Sequence, residues 1–358
     1  MNFAQAYRGR RVLVTGHTGF KGSWLSLWLR ELGAEVTGFA LAPPPGPSHF
    51  QICDLPRFLE DRLGDVRDTR ALTETLSEAR PEIVFHLAAQ ALVRDSYDAP
   101  QATFEVNVGG TVNVLEAVRH CEGVRAVVVV TSDKCYENRE LGHAYAETDM
   151  LGGHDPYSAS KAAAELVVSA YRRSFFSVGR PRVRVASVRA GNVIGGGDWG
   201  NARLVPDCVR ALTAGRPIVL RNPRSVRPWQ HVLEPISGYL HLGARLLDAD
   251  GDPAFEEAFN FGPLRDQHRT VEEIARGLVR IWGSGAVELA PSDGAAPHEA
   301  HLLHLDCAKA ARVLGWHARL DVDATARWTA AWYHAWHADG EEAAARTSRR
   351  QITEYQRL

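Results

Sequence analysis

The sequence VLVTGHTGFKG, residues 12–22, decides the fold. An apolar run leads into three glycines, Gly16, Gly19 and Gly22, and a predicted helix follows. In such a stretch the first glycine permits a tight turn, the second lets the backbone approach a pyrophosphate, and the third lets the helix pack on the strand. The helix N-terminus supplies free N–H groups to the phosphates. The stretch therefore predicts the first strand, loop and helix of a dinucleotide-binding domain.

The adenosine end of the predicted cofactor site is less well defined. No Asp or Glu occurs near residues 38–41 to bind the ribose hydroxyls, and no Arg stands there to hold a 2′-phosphate, so NAD and NADP both stay open. Asp65, in GDVRD, is a candidate adenine contact, although a solvated turn would use the same residue. The predicted cofactor contacts outside the catalytic helix are Gly16, Gly19, Phe20, Gly22, Asp65, Val66, Leu87, Ala88, Ala89 and Asn107.

Short β-branched runs alternate with longer helical patterns through the first half of the chain. The runs predict strands at 11–15, 35–41, 83–87, 126–131 and 183–189. The patterns between them predict helices at 22–32, 69–79, 99–119 and 156–176. This alternation predicts an α/β fold with a Rossmann-type, doubly wound parallel sheet.

Beyond residue 191 the alternation gives way to loops rich in Gly, Pro and Arg, which predict a smaller C-terminal substrate-binding lobe. We expect residues 1–190 to form the cofactor domain, with 229–262 returning to it, and 191–358 to form mainly the lobe. Tryptophans that recur every fourth residue predict a helix packed in the core. They are Trp328, Trp332 and Trp336.

Three residues predict redox chemistry at a sugar alcohol. Ser132 follows a predicted strand, and Tyr157 and Lys161 are four residues apart on a predicted helix, so both project from one face. A free phenol, with a pKa of about 10, is a weak base at neutral pH. A nearby ammonium and an oxidised nicotinamide both favour phenolate and lower that pKa. Tyr157 can then accept a hydroxyl proton while the carbon loses hydride, with Ser132 holding the same oxygen.

Asp133 and Lys134 follow Ser132 directly and add an acid/base pair that simple dehydrogenation does not need. The pair points to an elimination, with Asp133 as the acid for a departing hydroxyl. Lys134 is either the base that removes a proton beside the new ketone or a cation that stabilises the enolate oxygen. We favour the base. A surface pair in a loop is the alternative, against which the adjoining Ser132 argues.

Arginines in the C-terminal loops are candidates for binding a diphosphate, because the guanidinium group matches phosphate geometry. We expect substrate contacts from Arg203, Arg221 and Arg227, with Asn192 as a partner. A solvated surface position explains Arg203, Arg221 and the neighbouring Arg224 equally well.

The composition argues against several other partners. Lys+Arg 41 against Asp+Glu 43 gives a net charge of −2 without a basic stripe, so no nucleic-acid partner is predicted. The longest aliphatic run is too short to cross a bilayer, so no membrane partner is predicted.

Five scattered cysteines without CxxC spacing predict reduced thiols in a cytoplasm. Three histidines recur without an acidic ligand at suitable spacing, so no metal is predicted. They are His298, His301 and His304.

The chain resembles the extended short-chain dehydrogenases/reductases and, within them, the nucleotide-sugar 4,6-dehydratases. The resemblance extends from about residue 10 to about residue 320. It is carried by TGHTGFKGSWL, ALAPP, LAAQALVRDSY, TSDKCYEN, YSASK, RAGNVIGGGDW, RSVRPWQHVLEP and HEAHLLHLDCAKAARVLGW. The commonest hexose dehydratases carry an Asp–Glu pair after the hydroxyl residue, whereas Asp133–Lys134 is similar to the branch that acts on CDP-glucose.

This resemblance implies an NAD that stays bound through the cycle and CDP-glucose as the substrate. It implies oxidation at carbon 4, loss of water across carbons 5 and 6, and return of hydride to carbon 6, giving CDP-4-dehydro-6-deoxy-D-glucose. It also implies that Arg227 reaches the diphosphate, and the recognition of cytosine rests on the resemblance alone. The implied pathway is deoxysugar biosynthesis, such as that of lipopolysaccharide O-antigen.

Two other functions stay open. One is a 4-epimerase, or a 4,6-dehydratase acting on another nucleotide hexose. The other is a dinucleotide-binding regulator without catalysis, against which the intact Ser132, Tyr157 and Lys161 argue. The helices predicted at 99–119 and 156–176 carry apolar faces that can pair across a two-fold axis, so we expect a homodimer or homotetramer.

Overall fold

The structure, a computed structural model, describes residues 3–139, 142–178, 182–248, 252–263, 267, 269–290 and 303–358. Its strands are β1 (Arg11–Thr15), β2 (Glu35–Ala40), β3 (Glu60–Leu63), β4 (Ile83–His86), β5 (Ala126–Val130), β6 (Arg184–Arg189), β7 (Val193–Ile194), β8 (Ile218–Leu220), β9 (Val226–Arg227), β10 (Gln230–His231), β11 (Ala258–Asn260), β12 (Arg269–Thr270) and β13 (Val287–Leu289).

Its α-helices are α1 (Phe3–Ala6), α2 (Phe20–Glu31), α3 (His49–Ile52), α4 (Thr69–Ala79), α5 (Val93–Asp98), α6 (Pro100–Phe104), α7 (Gly110–Arg119), α8 (Pro156–Tyr171), α9 (Leu204–Thr213), α10 (Leu233–Leu247), α11 (Val271–Trp282) and α12 (Val322–Arg357). None of these helices combines the length and apolar character that a bilayer crossing requires, within the residues that the structure describes.

Seven strands form one parallel sheet in the order β11–β6–β5–β4–β1–β2–β3. The chain builds outward from β1 on one side and from β4 on the other, so the winding direction reverses between these two strands. Ligands bind at the carboxyl ends of the strands at such a switch point. The predicted doubly wound, Rossmann-type fold is confirmed.

The five strands and four helices predicted from the alternating pattern are all present, with small shifts at their ends. The predicted helix 99–119 is divided into α6, a wider π-type turn over 105–109, and α7. Two sheet strands were missed. The edge strand β3 is exposed at all four positions and lacks an apolar pattern, and β11 has only three residues.

The sheet is buried on both faces, as β5 shows most clearly. Its sequence AVVVV is buried at every position. Ala126, Val128 and Val130 pack in the core that also contains residues of α2, α10 and α12, whereas Val127 and Val129 pack with residues of α4 and α7. Side chains alternate across a strand, so burial of both faces requires an unbroken apolar run.

The C-terminal helix returns to the cofactor-binding half of the molecule. α12 bends at Gly340, where φ is 81°, and its second half contacts α2 and α3. Tyr355 near its end donates a hydrogen bond of 2.7 Å to the buried Glu234 of α10. The predicted core packing of the tryptophans is confirmed, since Trp332 is fully buried and Trp328 and Trp336 pack against the same core.

Candidate active site

Glycines shape the loop between β1 and α2 because side chains would not fit there. Gly16 has a φ of 76°, and a Cβ at this position would lie 2.7 Å from the backbone nitrogen of Ala88. A Cβ at Gly22 would lie 2.1 Å from the carbonyl oxygen of Gly16. The loop therefore lies against both β4 and the first turn of α2, whose unpaired N–H groups face outward.

A cleft opens in front of this loop, at the carboxyl edge of the sheet. Eleven of the predicted cofactor residues line it, and they are Gly16, Gly19, Phe20, Gly22, Asp65, Val66, Leu87, Ala88, Ala89, Tyr157 and Lys161. Its glycine wall and the helix N-terminus beside it fit a dinucleotide. The sequence analysis did not foresee Thr18, Lys21, Arg67 or Val106 in its lining.

Asp65, the candidate adenine contact, already has a partner in the chain. Its carboxylate accepts hydrogen bonds from the guanidinium of Arg67, at 2.7 Å from Nη2 to Oδ2, and from the Arg67 backbone N–H at 2.9 Å. These bonds from Arg67 lower the pKa of Asp65. Asp65 therefore faces the cleft as an ionised acceptor, with a neighbouring cation in the same wall.

Asn107 is the predicted cofactor residue that does not line the cleft. Its side chain binds the backbone of Gln90 on both sides, accepting from the Gln90 N–H at 2.9 Å and donating to the Gln90 carbonyl at 3.1 Å. It also donates to the Ser160 hydroxyl at 2.9 Å. Asn107 thus supports the cleft wall and the catalytic helix from behind.

The helix that carries Tyr157 and Lys161 begins with two local signals. Asp155 caps it by accepting a hydrogen bond of 2.9 Å from the backbone N–H of Ser158. Pro156 occupies the first turn, where its missing N–H leaves no unpaired donor. The cap fixes the start of α8, so both side chains reach the cleft.

Ser132, Tyr157 and Lys161 are all buried, and Tyr157 and Lys161 line the cleft. The Ser132 hydroxyl interacts with the Tyr157 phenol, whose pKa it lowers. The Lys161 ammonium donates to the carbonyl oxygen of Val130 at 3.4 Å. The structure therefore assembles the three groups that the sequence analysis selected from two separate motifs.

Burial dominates the protonation of these groups. It raises the pKa of Tyr157 to about 12, against the opposing effect of Ser132. It lowers the pKa of Lys161 to about 7, and the positive charge of Lys21 acts in the same direction. The protein's own groups thus favour a neutral phenol, opposite to the lowering expected from the sequence. An additional positive charge beside the phenol is what would lower this pKa.

Asp133 and Lys134 lie on a short 3₁₀ turn, Asp133–Cys135, that Ser132 caps. The Ser132 hydroxyl accepts from the Lys134 backbone N–H at 3.2 Å and donates to Asp133 Oδ1 at 3.0 Å. Asp133 is 3% exposed, whereas Lys134 is partly exposed. The turn therefore places the carboxyl group beside the Ser132 hydroxyl, and the Lys134 residue is less buried than Asp133.

The predicted substrate residues fall into two groups. Asn192 and Arg203 lie near the catalytic groups, since Asn192 Nδ2 is 3.3 Å from Asp133 Oδ2 and Arg203 lines the cleft. Arg203 is paired with Asp198 at 3.0 Å. Arg227 is buried on β9. Arg221, like its neighbour Arg224, is exposed on the turn before β9.

Sequence analysis missed Lys21, a cation in the lining of the cleft. Its pKa is lowered to about 8, mainly by burial and also by the charge of Arg203, while Asp133 and Asp198 act in the opposite direction. The available signal was its position, because a helix N-terminus disfavours a cation. A lysine in the first turn of α2 is therefore unusual enough to have been noticed.

Glu165, four residues beyond Lys161, is a further buried residue of the site that was not predicted from the sequence. It accepts hydrogen bonds from Ser187 and Arg189, both at 2.8 Å, and from Thr131. Glu165 thus ties the catalytic helix to β5 and β6. In the local sequence, only its spacing of four residues from Lys161 indicated that Glu165 belongs to the site.

Within the described part of the chain, no cluster of three His, Cys, Asp or Glu side chains is arranged to hold a metal ion. His304 lies in this part, whereas His298 and His301 fall outside the described residues.

The sheet, the glycine loop and the Ser–Tyr–Lys set define a nucleotide-cofactor enzyme of the short-chain dehydrogenase/reductase type. Residues 12–255 match the NAD dependent epimerase/dehydratase family. The chain belongs to this family, and its cofactor is NAD.

Named relatives agree with this assignment. CDP-glucose 4,6-dehydratase of Salmonella typhimurium is 49% identical over 98% of this chain and 97% of its own length. Among solved structures, UDP-glucose 4-epimerase of Thermus thermophilus in complex with NAD has a TM-score of 0.76 at 28% identity, covering 90% of this chain and 99% of that chain. A dTDP-glucose 4,6-dehydratase of Streptomyces venezuelae with NAD bound has a TM-score of 0.74 at 25% identity, covering 90% and 97%.

A Gly22→Ala variant tests the glycine loop. The added Cβ would lie 2.1 Å from the Gly16 carbonyl, so the loop must move away from the phosphates. We expect NAD affinity to fall about tenfold or more, roughly 1.4 kcal/mol, measured by calorimetric titration after removal of copurified dinucleotide. Gly109→Ala is the control, because φ is −59° there and nothing lies within 4 Å of the new methyl group. Unchanged affinity in a folded Gly22→Ala protein would contradict the assignment.

Proposed function

We propose that this protein dehydrates CDP-D-glucose to CDP-4-dehydro-6-deoxy-D-glucose. The observation that carries the proposal is the buried Asp133 carboxyl group, hydrogen-bonded to Ser132, which in turn interacts with Tyr157. An oxidation alone would need only the other three groups. The relative with 49% identity is named for this reaction, and it supplies the choice of CDP-glucose.

The first step is oxidation at carbon 4. Ser132 holds the hydroxyl oxygen, and Tyr157 accepts its proton. Bound NAD would supply the hydride acceptor for carbon 4 and, once reduced, the hydride donor for carbon 6. The residues that would hold it are those of the glycine loop and the cleft lining. Lys161, four residues beyond Tyr157 on the same helix, favours phenolate in its charged form.

Elimination across carbons 5 and 6 follows because the new ketone acidifies the carbon 5 proton. Lys134 removes this proton, and Asp133 protonates the carbon 6 hydroxyl as it leaves as water. Ser132 donates to Asp133 and interacts with Tyr157. The proton taken from the carbon 4 hydroxyl can therefore reach Asp133 through Ser132 and replace the one that left with water. The carbon 5 proton returns from Lys134, so protons and electrons balance.

The substrate diphosphate would be bound by cations at the mouth of the cleft. We assign Arg203 and Arg227 to this role, with Asn192 as a partner. Arg221 is exposed, so we expect it to contribute less to binding of the diphosphate. In this proposal residues 191–358 supply mainly the substrate lobe, while 229–262 belong to the cofactor domain. β11 within this range adds to the main sheet beside β6.

The test is incubation of the NAD-loaded protein with CDP-, dTDP-, GDP- and UDP-glucose, scored for loss of water by mass spectrometry. We expect loss of water with CDP-glucose and much slower reaction with the others. Preference for another nucleotide would reassign the substrate. Inversion at carbon 4 without loss of mass would identify a 4-epimerase instead. The absence of any reaction would favour a dinucleotide-binding protein without catalysis.

Variants of Lys134 distinguish the base from the electrostatic role. Lys134→Met removes both roles, whereas Lys134→Arg keeps the charge but supplies no base at neutral pH. If Lys134 is the base, both variants still oxidise carbon 4 but incorporate no solvent deuterium at carbon 5, and elimination falls by about 10²- to 10⁴-fold. Near-normal elimination by Lys134→Arg would indicate enolate stabilisation. Normal elimination by Lys134→Met would rule out both roles.

We also propose a cytoplasmic homodimer or homotetramer. The five cysteines, all of which lie in the described part of the chain, form no disulfide bond, which suits a reducing compartment. Exposed apolar side chains occur on neighbouring helices, with Phe104 on α6 and Leu166 on α8 at 39% and 62% exposure. Leu166→Glu should shift the mass in sedimentation velocity towards the 39.4 kDa monomer. Leu289→Glu, at an exposed leucine of the lobe, should leave the mass unchanged. Equal behaviour of the two variants would exclude the face of α6 and α8 as the subunit interface.

A further inference from the structure

The carboxyl group of Asp133 is enclosed by residues that follow the ends of two neighbouring strands, β5 and β6. Its Oδ1 accepts from the Ser132 hydroxyl at 3.0 Å, and its Oδ2 accepts from the Asn192 side-chain amide at 3.3 Å. Only 3% of Asp133 is exposed. Both oxygens therefore have donors from the protein, and the group has a defined orientation.

Gly191 leaves the space that this carboxyl group occupies. A Cβ built at Gly191 would lie 1.8 Å from Asp133 Oδ2 and 2.0 Å from its Cγ. No side chain can stand at position 191 while Asp133 keeps this place. The parallel register explains the contact, because Val130 of β5 pairs with Val188 of β6. Asp133 and Gly191 lie three residues beyond these partners.

The segment at 191–192 is itself fixed from a third direction. The buried side chain of Gln230 donates to the Gly191 carbonyl at 2.9 Å and to the Phe261 carbonyl at 3.0 Å. The Gln230 backbone N–H donates to the Asn192 carbonyl at 3.2 Å. Asn192 has a φ of 51°, a left-handed conformation that asparagine tolerates better than most residues. These contacts hold Gly191 and Asn192, the wall behind Asp133, in a fixed position.

We infer that Gly191 and Asn192 are positioning residues for Asp133, in addition to any contact that Asn192 makes with the substrate diphosphate. They seat the carboxyl group so that it can protonate the departing carbon 6 hydroxyl, and Gln230 holds them in place. An acid must lie within hydrogen-bonding reach of the oxygen that it protonates. The inference rests on the proposed dehydration, and it predicts that oxidation and elimination can be separated by changes in this wall.

Gly191→Ala is the direct test. The methyl group must displace the Asp133 carboxyl group but leaves Tyr157 and Lys161 in place. We expect oxidation at carbon 4 to continue, so that the near-ultraviolet absorbance of reduced nicotinamide accumulates in a single turnover. Elimination should fall by about 100-fold. Gly109→Ala, which adds a methyl group in open space, is the control. Elimination at the wild-type rate by Gly191→Ala would overturn the inference.

Asn192→Ala is the second variant, and it adds no bulk should Gly191→Ala fail to fold. Loss of the amide should lower kcat for elimination by about tenfold, less than the roughly 10²- to 10⁴-fold that a proton-transfer group itself contributes, again with accumulation of reduced nicotinamide. A rise in KM with unchanged kcat would show that Asn192 serves only the diphosphate and would overturn its positioning role.

Failure of the proposed function would be recognised separately, because wild-type protein would then release no water from CDP-glucose. Crystal structures of the wild type and of Gly191→Ala would still test the positioning itself. A carboxyl group of Asp133 that stays in the same place in both structures would contradict it.

Discussion

The candidate site depends on how β5 pairs with β6. The two strands run parallel with Val130 opposite Val188, and the Thr131 backbone N–H extends the pairing by donating to the Val188 carbonyl at 2.9 Å. The chain then leaves both strands at the same edge of the sheet, so Ser132 and Asp133 face Ala190 and Gly191. Because side chains alternate along a strand, a slip of one residue would turn this set to the opposite face. The register therefore decides whether the acid lies beside the other reacting groups.

A buried ionic contact holds this register and the catalytic helix together. Glu165 of α8 receives hydrogen bonds from Thr131, Ser187 and Arg189, which lie at or near the ends of β5 and β6. Removing one partner of such a buried pair typically costs about 3–5 kcal/mol because the other charge stays unpaired. The same contact positions Lys161 one helical turn away. The protein thus uses a charged interaction in its interior to connect the helix that carries the phenol with the strands that carry the acid.

The local parts of this arrangement were predictable from the sequence. The glycine spacing at 16–22, the strand AVVVV and the pair Tyr157 and Lys161 each follow from residues close together in the chain. The strands β3 and β11 were not predictable, because one is exposed and charged and the other is too short for a pattern. The register of β5 against β6 could not be predicted from the sequence either, so nothing in the sequence placed Gly191 against Asp133. For the same reason the pairing of Arg203 with Asp198 and the effect of Lys21 on Lys161 appeared only in the structure.

If oxidation, elimination and reduction occur in one site on a single sugar, the hydride removed from carbon 4 must return to the same molecule. This is measured with CDP-glucose labelled with deuterium at carbon 4, mixed with unlabelled substrate and followed by mass spectrometry and NMR. We expect the label to move to carbon 6 of the same molecule, with no loss to solvent and no transfer to the unlabelled sugar. Release of the label to water, exchange between molecules, or a product that keeps its carbon 6 hydroxyl would contradict this expectation.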